Sequence, residues 1–558
     1  MLFPETRDMQ RIENIKADSF YKPFLADLKE ICTHYQNGDT PAVRLDEMMI
    51  VYETGSRKEY EKSYFDRRAR MNGLFLRFLL YGEAADRAAL ENMVWAICDE
   101  FTWAVPAHVD IEQDMADIHT QIDLFAAETA QALAEIDYIL GDRLSPQIRR
   151  RIRYETEGRI FGAMDRRTFN WETMTNNWSA VCAGCVGMTY LYLAPERYPQ
   201  VEPRLIAAFD QFFSGYGDDG ACTEGLAYWS YGFGYFIYFA QLLLEWNGTD
   251  LIHQEKIRNI AMFQQHMYMQ DDTAVSFSDG HMRQTCEAGL AFFLKRTFPE
   301  EIQIPRPACQ SKIHLGDGIN LIRFAPLVRQ FFWTDPALAP AGEPAQDAYY
   351  ADAQWFIARR EGYAFAAKGG HNGEPHNHND LGGFILTAGG VQCLCDLGAG
   401  EYTREYFGDQ RYTLLCNSSR GHSVPVINGQ AQLPGAERQA SVLGRTKDSF
   451  TLELAGAYGL SELLSLVREF RLSEDGVQLR DTFQFAQPGC QAVERFVSVI
   501  PPAETAEGLQ IGAITLICRE KPAVSQQMIK NHQAQDLTVY LIDYPAGTDF
   551  KITFRLGL

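Results

Sequence analysis

The chain has 558 residues, of which 46% are hydrophobic, and 73 acidic against 51 basic side chains give a formal charge of −22. That charge excludes a nucleic-acid binder, which needs a basic face, and the apolar content excludes large-scale disorder. No run reaches the roughly 20 apolar residues of a membrane span, and the start Met1-Leu-Phe-Pro-Glu-Thr-Arg lacks a secretory leader's pattern, so a cytoplasmic protein with reduced thiols is expected.

Apolar residues recur every three or four positions through about the first 300 residues. Helices are expected at Ser63–Tyr81, Ala88–Phe101, Ile118–Leu140, Pro146–Phe161, Asn176–Leu193, Val201–Tyr216, Gly225–Trp246, Gln254–Met269 and Thr285–Phe298. Pro, Gly and Asp clusters separate them, as in Gly217-Asp-Asp-Gly and Asn247-Gly-Thr-Asp. Helices of similar length joined by short loops predict a curved array of helical hairpins, with no strict sequence repeat. A linker is expected over Asp335–Pro344. Beyond it the texture becomes short and β-rich: Tyr363–Lys368, Gly383–Ala388, Phe450–Leu454, Leu464–Leu472, Val477–Phe485, Ala492–Ile500, Leu537–Ile542 and Phe550–Arg555. The pattern predicts a helical domain over 1–335 and an antiparallel β-sandwich over 345–558.

Histidine is scarce, yet four of the 12 fall between 371 and 422. His376, His378 and Asp380 are spaced by two, which on a strand would put all three on one face. Asp396 sits where a strand is expected to end, and His422 follows Arg420-Gly. Two imidazoles and a carboxylate suit a zinc-type ion. In the helical half, Asn176 or Asn177 is a plausible N-cap. Tyr228 and Tyr231, three apart, share a helix face. Cys182-Ala-Gly-Cys185 lies inside an apolar helix without a second pair and is read as packing.

Taken in order, Asn176-Asn-Trp178, Glu224-Gly-x-x-Tyr-x-x-Tyr-Gly, His376-x-His-x-Asp-x-Gly-x-Phe, Asp396-x-Gly and Arg420-Gly-His422 resemble the heparinase II/III-like polysaccharide lyases, a group that includes alginate and oligoalginate lyases. The resemblance implies an incomplete (α/α) toroid followed by an antiparallel β-sandwich. It implies β-elimination on a uronate glycan, glycosaminoglycan first and alginate next. That reaction must neutralise a carboxylate, remove a weakly acidic C5 proton and protonate the leaving O4. By resemblance, Asn177, with Asn176, neutralises the carboxylate. Tyr231 is the favoured acid or base with Tyr228 left open, and His376 is the second catalytic group. Glu224, Trp178, Arg411, Tyr412 and Arg420 are implied at the substrate. His378, Asp396 and His422 are implied as ligands of one structural divalent metal of zinc type. An anionic oligo- or polysaccharide is the expected partner, with no nucleic acid and no membrane, and a homodimer stays open. Many relatives carry His within the segment that here reads Asn176-Asn177, which shifts more of the task to His376. The lack of a leader points to imported oligosaccharides.

Three other readings compete, one of them a non-catalytic sugar-binding protein, which would bind glycan without forming product. A glycoside hydrolase needs two flanking carboxylates, Glu224 with Asp219 or Asp279. A zinc hydrolase would use His376, His378, Asp396 and His422 around an open water position.

Overall fold

The computed structural model describes residues 1–309, 321–338 and 346–557. Most of the expected linker, 339–344, lies outside the described residues. The chain forms two compact units that interleave in sequence: Met1–Gly215, Ser230–Arg258 and Thr285–Ala341 make the first, and Tyr216–Trp229, Asn259–Gln284 and Gly342–Leu558 the second. Two pieces of the helical half thus count with the sheet unit.

In the first unit, the helix Asn177–Leu193 packs against both Leu124–Leu140 and Tyr198–Ser214. Nearly every residue of it is buried, which fits a helix apolar on all sides. A Cβ at Gly184 would stand 2.8 Å from the Tyr235 carbonyl oxygen, so glycine allows the helix Leu226–Asn247 to approach. Cys182 and Cys185 are fully buried thiols whose pKa burial pushes well up, as inert packing groups require.

The expected helices are recovered with shifted ends. Ile118–Leu140 divides into Met115–His119 and Leu124–Leu140 because Asp123 caps the second piece, accepting from the Ala126 amide at 2.7 Å. Pro146–Phe161 changes from α to a π turn at Glu157–Phe161. Three helices before residue 57, Met9–Ala17, Lys22–Asn37 and Leu45–Thr54, add to the sequence reading. Among the described residues, no helix is long and apolar enough to cross a membrane.

The second unit is antiparallel throughout its named pairs. An eight-stranded sheet is built around Leu463–Ser473, Gly476–Phe485 and Asp549–Leu556. A five-stranded sheet includes Trp355–Arg360, Tyr363–Lys368 and Phe384–Ala388, and a four-stranded sheet includes Ala492–Ser498 and Asp536–Ala546. Burial alternates along Leu463–Ser473 and Gly476–Phe485, the period-2 signature of a half-buried strand. Phe384 meets Phe470 at 5.2 Å and Phe496 at 6.1 Å between ring centroids, so the inner faces of all three sheets share one aromatic core. Arg468, wholly buried in that core, binds Asp481 at 2.6 Å and Glu494 at 2.8 Å. Its other donors reach the carbonyls of Gly382 at 2.9 Å and Ser423 at 2.8 Å, each beside a site loop.

Candidate functional site

In the second unit the site is built on the turn Ser276-Phe-Ser-Asp-Gly280. Ser276 Oγ donates to the Asp396 carbonyl at 2.9 Å, and Ser278 Oγ to the Thr223 carbonyl at 2.7 Å. Gly225, at φ +100°, leaves room for that turn: a Cβ there would stand 3.2 Å from the Phe277 carbonyl oxygen. Ser278 itself holds φ 60°, a left-handed conformation that costs a non-glycine residue about 1–2 kcal/mol.

The turn presents Asp279, whose side chain is fully buried and ringed by donors. His376 Nδ1 lies 2.6 Å from its Oδ2 and His378 Nε2 3.1 Å from its Oδ1. Tyr402 donates at 3.1 Å, Arg411 at 3.3 Å, and the Tyr406 hydroxyl also donates. Burial raises the Asp279 pKa, but the hydrogen bonds and charges of His376 and His378 outweigh it and hold the carboxyl well below its usual range.

His376 and His378 lie in a loop, not on a strand, so the alternation argument does not apply; His376 takes φ 55°. Its ring stacks on Tyr228 with centroids 4.1 Å apart, and its Nε2 lies 3.4 Å from Glu224 Oε2. Burial pulls the His376 pKa down, and Asp279 with Glu224 more than restores it, leaving a net rise. Tyr228 oxygen lies 2.6 Å from Tyr402 oxygen. Burial and then the Asp279 charge raise the Tyr228 pKa, so its phenol holds its proton.

Among the described residues, His378, Asp396 and His422 each offer one ligand atom, all within 4.8 Å of one another. His422 Nδ1 lies 3.0 Å from Asp396 Oδ2, and His378 Nδ1 4.0 Å from Asp396 Oδ1. The opposite ring nitrogens are tied down, His378 Nε2 on Asp279 and His422 Nε2 on the Cys416 carbonyl at 2.8 Å. His378 Nδ1 is buried without a hydrogen-bond partner. These side chains are at most 3% exposed. Asp380 faces Lys368 Nζ at 2.9 Å, and its Oδ2 lies 3.9 Å from His422 Nδ1.

The remaining expected residues fall as follows. Arg411 directs its guanidinium inward, onto Asp279 and the carbonyls of Asn377 and Tyr406. Tyr412 is half-buried and Arg420 exposed. Asp219, considered for a hydrolase, accepts from the Asp352 amide at 2.7 Å. Tyr402 and Tyr406 were not singled out from the sequence, and Asp279 only as a hydrolase carboxylate. The cue lay in Ser276-Phe-Ser-Asp-Gly-His281, a polar turn between apolar segments.

In the first unit, Asn176 is the N-cap, accepting from the Trp178 amide at 3.1 Å. Asn177 is 2% exposed and its Oδ1 has no hydrogen-bond partner. Trp178 packs edge-on against His108 at 4.7 Å between centroids. Tyr231 donates to Glu128, which also pairs with Arg323, and the Arg323 guanidinium sits 3.5 Å from the Tyr231 ring centroid. Burial drives the Tyr231 pKa well up despite that cation.

Nearby in this unit, Glu287 accepts from Tyr238 at 2.8 Å, and burial pushes its pKa from 4.5 to about 7, with Arg323 opposing and Glu128 reinforcing the shift. The protonated carboxyl therefore favours the fold below pH 4.5, and this contribution is lost as pH rises through about 7. Glu287→Gln is expected to flatten the stability profile over that window by on the order of 3 kcal/mol, read from urea midpoints at acid and neutral pH. An unchanged slope would contradict a buried, proton-holding Glu287.

Residues 342–496 match the family described as heparinase II/III-like, C-terminal. No curated protein sequence matches the chain. Among solved structures, the chain is similar to a heparan sulfate lyase HepC mutant from Pedobacter heparinus, at 13% identity and TM-score 0.59, covering 100% of this chain and 92% of that one. It is similar to a heparinase III at 12% identity and TM-score 0.62, covering 100% and 94%. It is also similar to a Streptomyces coelicolor A3 chondroitin AC lyase in complex with chondroitin sulphate, at 13% identity and TM-score 0.52, covering 100% and 83%. These likenesses show the fold, an incomplete (α/α) toroid followed by an antiparallel β-sandwich, as the sequence implied.

Proposed function

We propose that this heparinase II/III-like protein is a polysaccharide lyase that cleaves uronate-containing glycans by β-elimination. The observation that carries the reading is the His376–Tyr228 stack, with Asp279 on the imidazole. A carboxylate only accepts hydrogen bonds, so Nδ1 carries the hydrogen and Nε2 is the reactive nitrogen. In this reading His376 Nε2 takes the C5 proton and the Tyr228 phenol gives its proton to O4. The C4–O4 bond breaks, the C4–C5 double bond forms, and the imidazolium returns its proton to the phenolate. Glu224, beside Nε2, orients the ring. Asn177, whose side-chain NH2 can donate to a carboxylate, remains our proposal for the carboxylate ligand, on the family resemblance alone.

A zinc-type cation fits His378, Asp396 and His422, because both imidazoles keep Nδ1 toward Asp396 while their other nitrogens are occupied. When bound, such an ion would brace the three loops that carry its ligands. The burial of the set favours this structural role over hydrolysis, which needs an open water position. The ring of donors that keeps Asp279 ionised disfavours a glycosidase acid, which must hold a proton.

The substrate class is an anionic glycan, glycosaminoglycan before alginate; similar structures include a heparan sulfate lyase and a chondroitin AC lyase bound to chondroitin sulphate. Purified protein mixed with heparan sulfate, chondroitin, hyaluronan and alginate oligomers is expected to raise ultraviolet absorbance on at least one, as unsaturated uronate accumulates. New reducing ends without absorbance would favour the hydrolase.

A further inference from the structure

Asp279 takes no part in the elimination and is not in the ligand set, yet both sets of residues lean on it. We infer that Asp279 is a positioning residue that couples the metal site to the acid–base pair. The inference rests on the lyase and metal readings above.

The two carboxylate oxygens divide their donors. Oδ1 takes His378 Nε2 at 3.1 Å, Arg411 at 3.3 Å and the Tyr406 hydroxyl. Oδ2 takes His376 Nδ1 at 2.6 Å and Tyr402 at 3.1 Å. The first set fixes the His378 tautomer that turns Nδ1 toward Asp396. The second fixes the His376 tautomer that leaves Nε2 reactive. Tyr402 has one hydroxyl hydrogen, and it goes to Asp279, so the Tyr402 oxygen accepts from Tyr228 at 2.6 Å. One carboxylate therefore orients one metal-site histidine and both reacting side chains. It cannot turn to follow one set without leaving the other. Its backbone has little freedom to compensate, because Ser276 and Ser278, which precede it in the turn, are tied to the carbonyls of Asp396 and Thr223.

Asp279→Asn preserves shape but replaces one acceptor oxygen with an NH2 donor, which must then face donors on one side. Zinc affinity, read by competition with a chromogenic chelator, is expected to fall roughly 10–100-fold, the usual range for losing the hydrogen-bond partner of a metal-bound histidine. kcat should fall by at least the same factor, with KM changed less than about threefold, because positioning of reacting groups acts on the chemical step. His376→Ala is the contrast: kcat falls while zinc affinity stays within about twofold, since its ring is not a ligand in this reading. Asp279→Asn with wild-type zinc affinity, or with unchanged kcat, overturns the coupling, as does a wild-type protein that binds no zinc. If Asp279→Asn fails to fold, the hydrogen-bonded Nδ1 proton of His376 is followed by NMR as zinc is added to metal-free wild type. A shifted resonance supports the coupling, and an unmoved one overturns it. A wild-type protein inactive on every uronate would sink the lyase reading instead, with zinc binding still judging Asp279.

Discussion

Tyr228→Phe is expected to lower turnover by roughly 10²–10⁴-fold, the span of a lost general acid or base, while KM, fold and metal content stay near wild type. The substitution removes one hydroxyl from a ring that stacks on His376, so the stack remains. The proton to O4 is lost, together with the hydrogen bond to Tyr402 at 2.6 Å. Tyr231→Phe serves as the paired comparison. Its hydroxyl donates to Glu128, which keeps Arg323 and Tyr235 as partners after the change. A stability loss of about 1–2 kcal/mol is expected there, the cost of one charge-assisted hydrogen bond, with modest effect on turnover. The reverse pattern, with Tyr231 essential and Tyr228 dispensable, would move the chemistry to the other phenol.

The largest effect on stability is expected at Arg468. Its side chain is wholly inaccessible and serves Asp481, Glu494 and the carbonyls of Gly382 and Ser423. Arg468→Ala strands two carboxylates in an aromatic core, and breaking a buried pair from one side costs about 3–5 kcal/mol. The loss should also reach the site, because Gly382 closes the loop that carries His378, and Ser423 follows His422. A lower unfolding midpoint of the sheet unit in guanidinium, accompanied by weaker zinc binding, is the expected result. Arg468→Lys should rescue little, since one ammonium cannot span four acceptors. Wild-type stability of Arg468→Ala would contradict the role given to this cluster.

Much of the fold was legible because local signals are strong in both halves. Leu463–Ser473 alternates apolar and polar residues, and the Ser473-Glu-Asp-Gly turn marks its end, so strand and hairpin follow from pattern alone. Helix ends were less legible where a cap interrupts a continuous periodic run, as Asp123 does. The interleaved units could not be read, because the segments Tyr216–Trp229 and Asn259–Gln284 join the sheet unit by tertiary packing that leaves no local mark. Within the site, His376, His378, Asp396 and His422 stood out because His is rare and the spacing is close. Asp279 did not, because an Asp-Gly pair most often marks a turn. What sets it apart is the convergence of five donors from distant segments. Tyr228 and Tyr231 were equivalent by spacing and separate only through their partners: His376 and Tyr402 for one, Glu128 and Arg323 for the other.

The central claim is that the glycosidic bond breaks by elimination. Digestion of heparan sulfate or chondroitin oligosaccharides in heavy-oxygen water, followed by mass analysis of the fragments, tests it most directly. The account predicts a non-reducing-end uronate lighter by one water, with no solvent oxygen incorporated at the cleaved bond. Fragments that carry heavy oxygen at the new ends, with saturated uronate, would contradict it.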